Sequence, residues 1–196
     1  HLGEWSWMAR SVFDRAHLSL IEPQIEMTPF LDKFCAVDPN SKWFHAGAGA
    51  KTGELTLTIW DDLTGSSFLP GPSKELENAG KQRKVPIATI DSLIEQNSIP
   101  IPDLVKIDVQ GLELDVLRGG ESCFGHTEIF IVEASFFTFL PDQPLFHEIV
   151  NFMLEHGYVA YDLLHPNPRP LDGALGQVDI CFIKQDSLLR DKQGWQ

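Results

Sequence analysis

The sequence has no apolar run long enough to cross a bilayer. Its longest apolar stretches, such as residues 129–132 and 136–140, fall far short of the roughly 20 residues a transmembrane helix needs. No cleavable signal peptide opens the chain, and no membrane association is expected. Runs of Lys or Arg are missing too. With 15 basic against 28 acidic residues the formal charge is −13, which would repel a phosphate backbone, so nucleic acid is not an expected partner. Cysteine is scarce: Cys35, Cys123 and Cys181 are odd in number, far apart and set among apolar residues, with no C-x-x-C spacing. That excludes a disulfide framework and a structural zinc site of the usual kind, and it predicts buried free thiols in a reducing compartment, the cytoplasm. None of the seven histidines forms a spaced pair typical of zinc, and no internal repeat is visible.

What is present suits one globular domain over residues 1–196, with 43% hydrophobic and 22% charged residues. The acidic excess reads as a solvated surface. A helix is compatible with the segment after Gly3; a strand follows over 17–22, and Thr28-Pro29 opens a second helix as N-cap and first helical residue. Strands are predicted at 43–48, at 55–60, where Leu55, Leu57 and Ile59 alternate with polar or amphipathic residues, at 84–88, and at 104–107. Residues 61–80, with Gly65, Gly71, Gly80, Pro70 and Pro72, read as a surface loop. A short helix over 91–95 precedes the 104–107 strand. Then come a helix over 113–118 closed by Gly119-Gly120, an apolar strand over 129–132, and a helix marked by Phe146, Ile149, Val150 and Met153. Two final strands, 159–163 and 178–183, are joined by a proline-rich loop without a helix, so they are expected to be antiparallel. Alternating strands and helices give an α/β class with a mainly parallel sheet covered on both faces.

Ligands of such sheets collect at the carboxyl ends of strands, which singles out three acids and a glycine. Glu22 ends the 17–22 strand, where an acid can accept hydrogen bonds from ribose hydroxyls or simply cap a turn. Asp108 follows Val105-Lys106-Ile107 and precedes Gly111. It could face a cation, take a proton from a hydroxyl, bind a hard cation, or cap the next helix. Glu133 ends the 129–132 strand and would project beside Asp108 if the two strands are neighbours, as an acid–base or metal pair or as a salt-bridge partner. Glu113 belongs in the first turn of its helix, where its charge suits the dipole. Gly3, as the last of a glycine-rich loop, would let a helix N-terminus approach a ligand.

Residues 85–94 (VPIATIDSLI), 104–120 (LVKIDVQGLELDVLRGG) and 129–134 (IFIVEA), in this order and spacing, closely resemble the FkbM family of methyltransferases. Residues 3–23 are similar to that family's glycine loop, helix and acidic second strand, and residues 177–183 to its closing strand. The resemblance implies a Rossmann-like class I methyltransferase sheet with an antiparallel last strand, binding S-adenosylmethionine and transferring methyl to the oxygen of a small-molecule or sugar acceptor. It places Gly3 by the methionine part of the cofactor, Glu22 by the ribose, Ala48 and Gly49 near adenine, and Asp108 near the reacting methyl. Asp108 and Glu133 become the catalytic candidates, and Ser66 and Ser67 match small residues of the family's loop.

Two departures qualify this. Where the family commonly carries Glu, this chain has Gln110, which removes an anionic ligand and weakens any divalent-metal site. The family's first, central strand should precede His1 and is not in the sequence, so the domain is expected to be N-terminally incomplete. A nicotinamide-dependent oxidoreductase and a non-catalytic nucleotide-binding domain are the competing expectations. The acceptor, metal dependence and oligomeric state are open at this stage.

Overall fold

The structure, a computed structural model, describes residues 3–192 and 194; His1 and Leu2, read as the lead-in to Gly3, lie outside the described residues. Gly3 has φ 76°, a left-handed conformation cheap only for glycine, and releases the chain into α1 (Glu4–Val12). Then follow β1 (Leu18–Glu22), α2 (Thr28–Val37), β2 (Ser41–His45), β3 (Gly47–Ala48), β4 (Gly53–Thr58), α3 (Lys74–Asn78) and β5 (Gln82–Ala88). The second half runs α4 (Ile90–Asn97), β6 (Leu104–Ile107), α5 (Glu113–Arg118), β7 (Ile129–Ser135), α6 (Phe146–Glu155), β8 (Tyr158–Pro168) and β9 (Leu175–Lys184).

The strands form three hydrogen-bonded sheets in the orders β1-β2, β3-β5-β4 and β6-β7-β9-β8. β1/β2, β3/β5 and β6/β7 are parallel, whereas β4/β5, β7/β9 and β8/β9 are antiparallel. The expectation of one mainly parallel sheet is therefore corrected to a mixed architecture. β4 is an antiparallel edge strand, and the alternation expected over 55–60 holds only in part: Leu57 is buried, but Leu55 is 43% exposed and Thr58 is buried. Among the described residues no strand pairs with β1 on the side away from β2, or with β6 on the side away from β7. Both strands still serve one core: Ile107 of β6 lies in the main cluster with Val132, Ile180 and Phe182, and Ile21 of β1 packs against it. Leu57, Phe68, Val85 and Ile87 form a smaller second cluster.

Several boundaries moved for identifiable reasons. The single strand read at 43–48 breaks between His45 and Gly47, and Met27 rather than Thr28 caps α2, Thr28 already being helical. α4 is longer than expected because Thr89 and Ser92 cap it reciprocally: Thr89 Oγ1 accepts the Ser92 N–H at 2.9 Å and Ser92 Oγ the Thr89 N–H at 3.1 Å. The loop expected from 165 is strand as far as Pro168, since proline is tolerated on a sheet edge. Cys123 is buried, but Cys35 and Cys181 are only half-buried; all three are free.

Candidate active site

β6 and β7 pair in parallel with Ile107 opposite Val132, so Asp108 leaves the end of β6 beside Glu133. Glu133, expected to end its strand, lies within β7, which runs on to Ser135 because β9 continues to pair with it, Glu133 opposite Asp179. Gln110 joins them. Its Nε2 donates to Asp108 Oδ1 at 2.9 Å and to Glu133 Oε2 at 2.8 Å, while Gln177 Nε2 from β9 donates to the same Glu133 oxygen at 3.1 Å. Beneath them Lys106 Nζ bonds Asp179 Oδ1 at 2.6 Å and lies 3.7 Å from Asp108 Oδ2. His165 Nδ1 is 3.3 Å from the other Asp179 oxygen.

The turn that delivers Gln110 is tightly specified. Gln110 has φ 53° and Gly111 φ 111°, and a Cβ on Gly111 would come within 2.7 Å of Leu69 Cδ1. Glu113, 3% exposed, accepts the Gly111 N–H at 3.0 Å. Burial pushes its carboxyl up, and backbone N–H groups of Gly111, Glu113 and Val109 partly offset the rise. Glu113 does stand in the first turn of α5, but as a buried clasp on this turn. The Ser67 hydroxyl donates to the Gln110 carbonyl at 2.5 Å and accepts the Leu69 N–H at 3.0 Å, which ties the 61–80 loop to the turn. Ser66 is buried beside it, and its Oγ accepts the Trp60 N–H at 3.3 Å.

Burial, then the negative charges of Asp108 and Glu113, push Glu133 from 4.5 up to about 8, with Lys106 pulling the other way. A carboxylate so placed is a far better match to a hydroxyl proton than an ordinary Glu. Gln110 and Gln177 both bind Oε2, and no described residue hydrogen-bonds Oε1, which is left open to an incoming proton.

The other predicted residues sit around β1 to β3. Glu22, opposite His45 in the register, is raised by burial, and its Oε1 accepts the Gln24 N–H at 2.8 Å. Gln24, 8% exposed, donates through Nε2 to the Leu63 carbonyl at 3.1 Å, but its Oε1 is buried with no partner among the described residues. Ala48 is buried in the main core, so only its backbone can face a ligand. Gly49 donates its N–H to the Ala88 carbonyl at 3.1 Å, and its own carbonyl lies 2.1 Å from where a Cβ on Gly119 would sit. Gly3 stands alone at the start of α1. Among the described residues no hydrogen bond links Glu22, Ala48 or Gly49 to the Asp108–Glu133 pair, and no group of three or more His, Cys, Asp or Glu is disposed to hold a metal.

Comparison with known proteins decides the family: the model of the methyltransferase FkbM domain matches residues 1–160. The chain belongs to the FkbM methyltransferase family. Membership selects the methyltransferase reading over a nicotinamide oxidoreductase. Over 71 residues, 34% of its length, this FkbM chain is 35% identical to the hexuronic acid methyltransferase AglP of Haloferax volcanii. It spans 30% of that relative's length. No solved structure matches it. Lys106, Gln177, Asp179 and Gln24 carried no role assigned from the sequence. Lys106 had a usable signal, since a lysine inside an apolar strand must find an anion or leave the fold.

Proposed function

We propose that this chain binds S-adenosylmethionine and transfers its methyl group to a hydroxyl of a small-molecule or sugar acceptor. The observation that carries the reading is the Asp108–Gln110–Glu133 arrangement across the adjacent strands β6 and β7 of an FkbM-family chain. The cofactor fits the residues present. A ribose offers two neighbouring hydroxyl donors, and Glu22 with the unpartnered Gln24 Oε1 offers two acceptors within two residues. Gly3 at the head of α1 can approach the methionine part and the 48–49 backbone the adenine. Bound S-adenosylmethionine would supply an electrophilic sulfonium methyl.

Asp108 serves as the anion nearest that positive charge, and Glu133 takes the acceptor's proton on Oε1. Gln110 and Gln177 hold the carboxyl's orientation through Oε2. Positioning supplies most of the acceleration; a general base adds a factor of about 100 to 10,000.

The same reading takes residues 1–196 as one Rossmann-like domain in which β1 and β6 flank the place of the family's central strand. The unpaired edges of those two strands, which share one core, support it. Free thiols support a cytoplasmic site, and no described helix is long and apolar enough to cross a membrane.

The test is calorimetric titration with S-adenosylmethionine followed by a mixed-acceptor methylation assay. Saturable binding is expected, with turnover falling at least about 100-fold in Glu133→Gln while cofactor affinity holds. No heat at high cofactor concentration sinks the proposal, and binding without turnover by any acceptor favours a non-catalytic binding domain.

A further inference from the structure

The chain that leaves β7 at Ser135, two residues past Glu133, carries a cluster with no part in the chemistry above. Its backbone is pinned: the Phe136 N–H donates to the Gly176 carbonyl at 2.9 Å, and buried Gln143 donates to Ser135 Oγ at 2.8 Å while accepting the Phe139 and Leu140 N–H groups at 3.3 Å each. The pinned segment presents Phe137 and Phe139, ring centroids 6.0 Å apart, with Phe139 47% exposed.

Against Phe137 lies Arg169, its guanidinium carbon 3.7 Å from the ring centroid. Arg169 belongs to the turn between β8 and β9, closed by its own N–H on the Ala174 carbonyl at 2.8 Å and by the Gly173 N–H on its carbonyl at 3.0 Å. Asp172 fixes the guanidinium plane, accepting from Nε at 2.8 Å and from Nη2 at 2.6 Å.

Stability does not explain this grouping. An Arg–Asp pair whose carboxylate stands half in water contributes little, about 0–1 kcal/mol, and a Phe left half in water contributes less than a buried one. As a recognition surface it is well matched to one chemistry. Nη1 of Arg169 has no hydrogen bond among the described residues, and Asp172 keeps lone pairs free, so a donor and an acceptor stand together beside aromatic faces. Vicinal hydroxyls, each both donor and acceptor, satisfy such a pair, and the C–H face of a pyranose lies on an aromatic ring. A phosphate would meet the Asp172 charge, and an apolar acceptor would leave the pair unsatisfied.

We propose that Phe137, Phe139, Arg169 and Asp172 form the acceptor subsite and that it holds a sugar ring. The inference rests on the methyltransferase reading, whose acceptor it names by class. Phe137 lies four positions beyond Glu133, at most about 13 Å of extended chain, so the ring held here is a neighbour of the one that is methylated. The acceptor is a disaccharide or longer glycoside.

The full chain, fluorescently labelled and saturated with S-adenosylmethionine, is to be applied to an array of neutral and uronic-acid glycans from one to four residues. Capture of glycans of two or more residues is expected, with affinity lowered about tenfold or more in Phe139→Ala and in Arg169→Ala. Cofactor affinity, measured separately, stays unchanged in both variants. Phe139→Ala alters an exposed side chain, so a loss there is not a folding defect; retained cofactor binding certifies Arg169→Ala. A chain that binds the cofactor but no glycan overturns the subsite and leaves the methyltransferase reading intact. Glycan binding unchanged in both variants overturns it equally. Glycan capture, lost in the variants, by a chain that fails to bind cofactor upholds the subsite and sinks the methyltransferase reading.

Discussion

Glu133 couples activity and stability with opposite signs. Its carboxyl moves from 4.5 to about 8 on folding, chiefly through burial. Below pH 4.5 folded and unfolded chains are both protonated there; between 4.5 and about 8 only the unfolded chain gives up the proton, so stability falls as pH rises through that window. At roughly 1.4 kcal/mol per unit the displacement costs up to several kcal/mol above pH 8. Glu133→Gln is accordingly expected to unfold at a higher temperature than the parent at pH 8.5, with the gap closing toward pH 4.5, as thermal melts across pH would record. The activity arm runs the other way: kcat/KM in a methyl-transfer assay rises through pH 8 in the parent and is flat in Glu133→Gln. Gln110 gives a second residue-scale outcome. Gln110→Glu replaces a shared donor with a third carboxyl beside Asp108 and Glu133, so turnover falls at least about tenfold and a divalent cation such as Mn2+ gains calorimetric affinity. Asp108 was legible from its strand-end position, and Glu133 from the apolar run before it, although β7 continues past it to Ser135. The bridging amide was not, because a sequence shows that Gln110 lacks a charge but not that its two N–H donors reach both neighbours.

At the scale of elements, the approach of α5 to the 48–49 segment is set by absent side chains. A Cβ on Gly119 would stand 2.1 Å from the Gly49 carbonyl oxygen and 3.2 Å from Thr89 Cβ, contacts that only backbone movement relieves. Gly119→Ala is expected to cost about 2–4 kcal/mol, lowering the thermal midpoint by about 5–10 °C in scanning calorimetry, and to weaken cofactor binding with it. The sequence did announce Gly119-Gly120 as a helix end, and α5 and β6 fell where periodicity put them. It failed where tertiary pairing outweighs local preference. The prolines at 166, 168 and 170 read as loop, yet β8 runs to Pro168 because an edge strand can spare the N–H that proline lacks.

Across the whole molecule, cohesion is uneven. β7 and β9 are each bonded on both sides, and Val132, Ile180 and Phe182 at their centre are fully buried, whereas β1 has a single partner and an exposed Ser19. Hydrogen–deuterium exchange read by mass spectrometry should find β7 and β9 amides slowest, on the order of 100-fold slower than those of β1. The α/β class was legible from alternating elements, but the division into three sheets was not, since which strands pair is decided by partners far away in sequence.

The β8–β9 hairpin, finally, acts as a ruler. Gln177 holds Glu133, and one residue earlier Gly176 holds Phe136, while Arg169 sits in the turn beyond. Adding two residues to each arm of the hairpin would keep every side chain on its own face and carry the turn outward by about 7 Å. The distance from the carboxyl pair to the proposed subsite can thus lengthen or shorten by whole repeats of the strand with the carboxyl pair untouched.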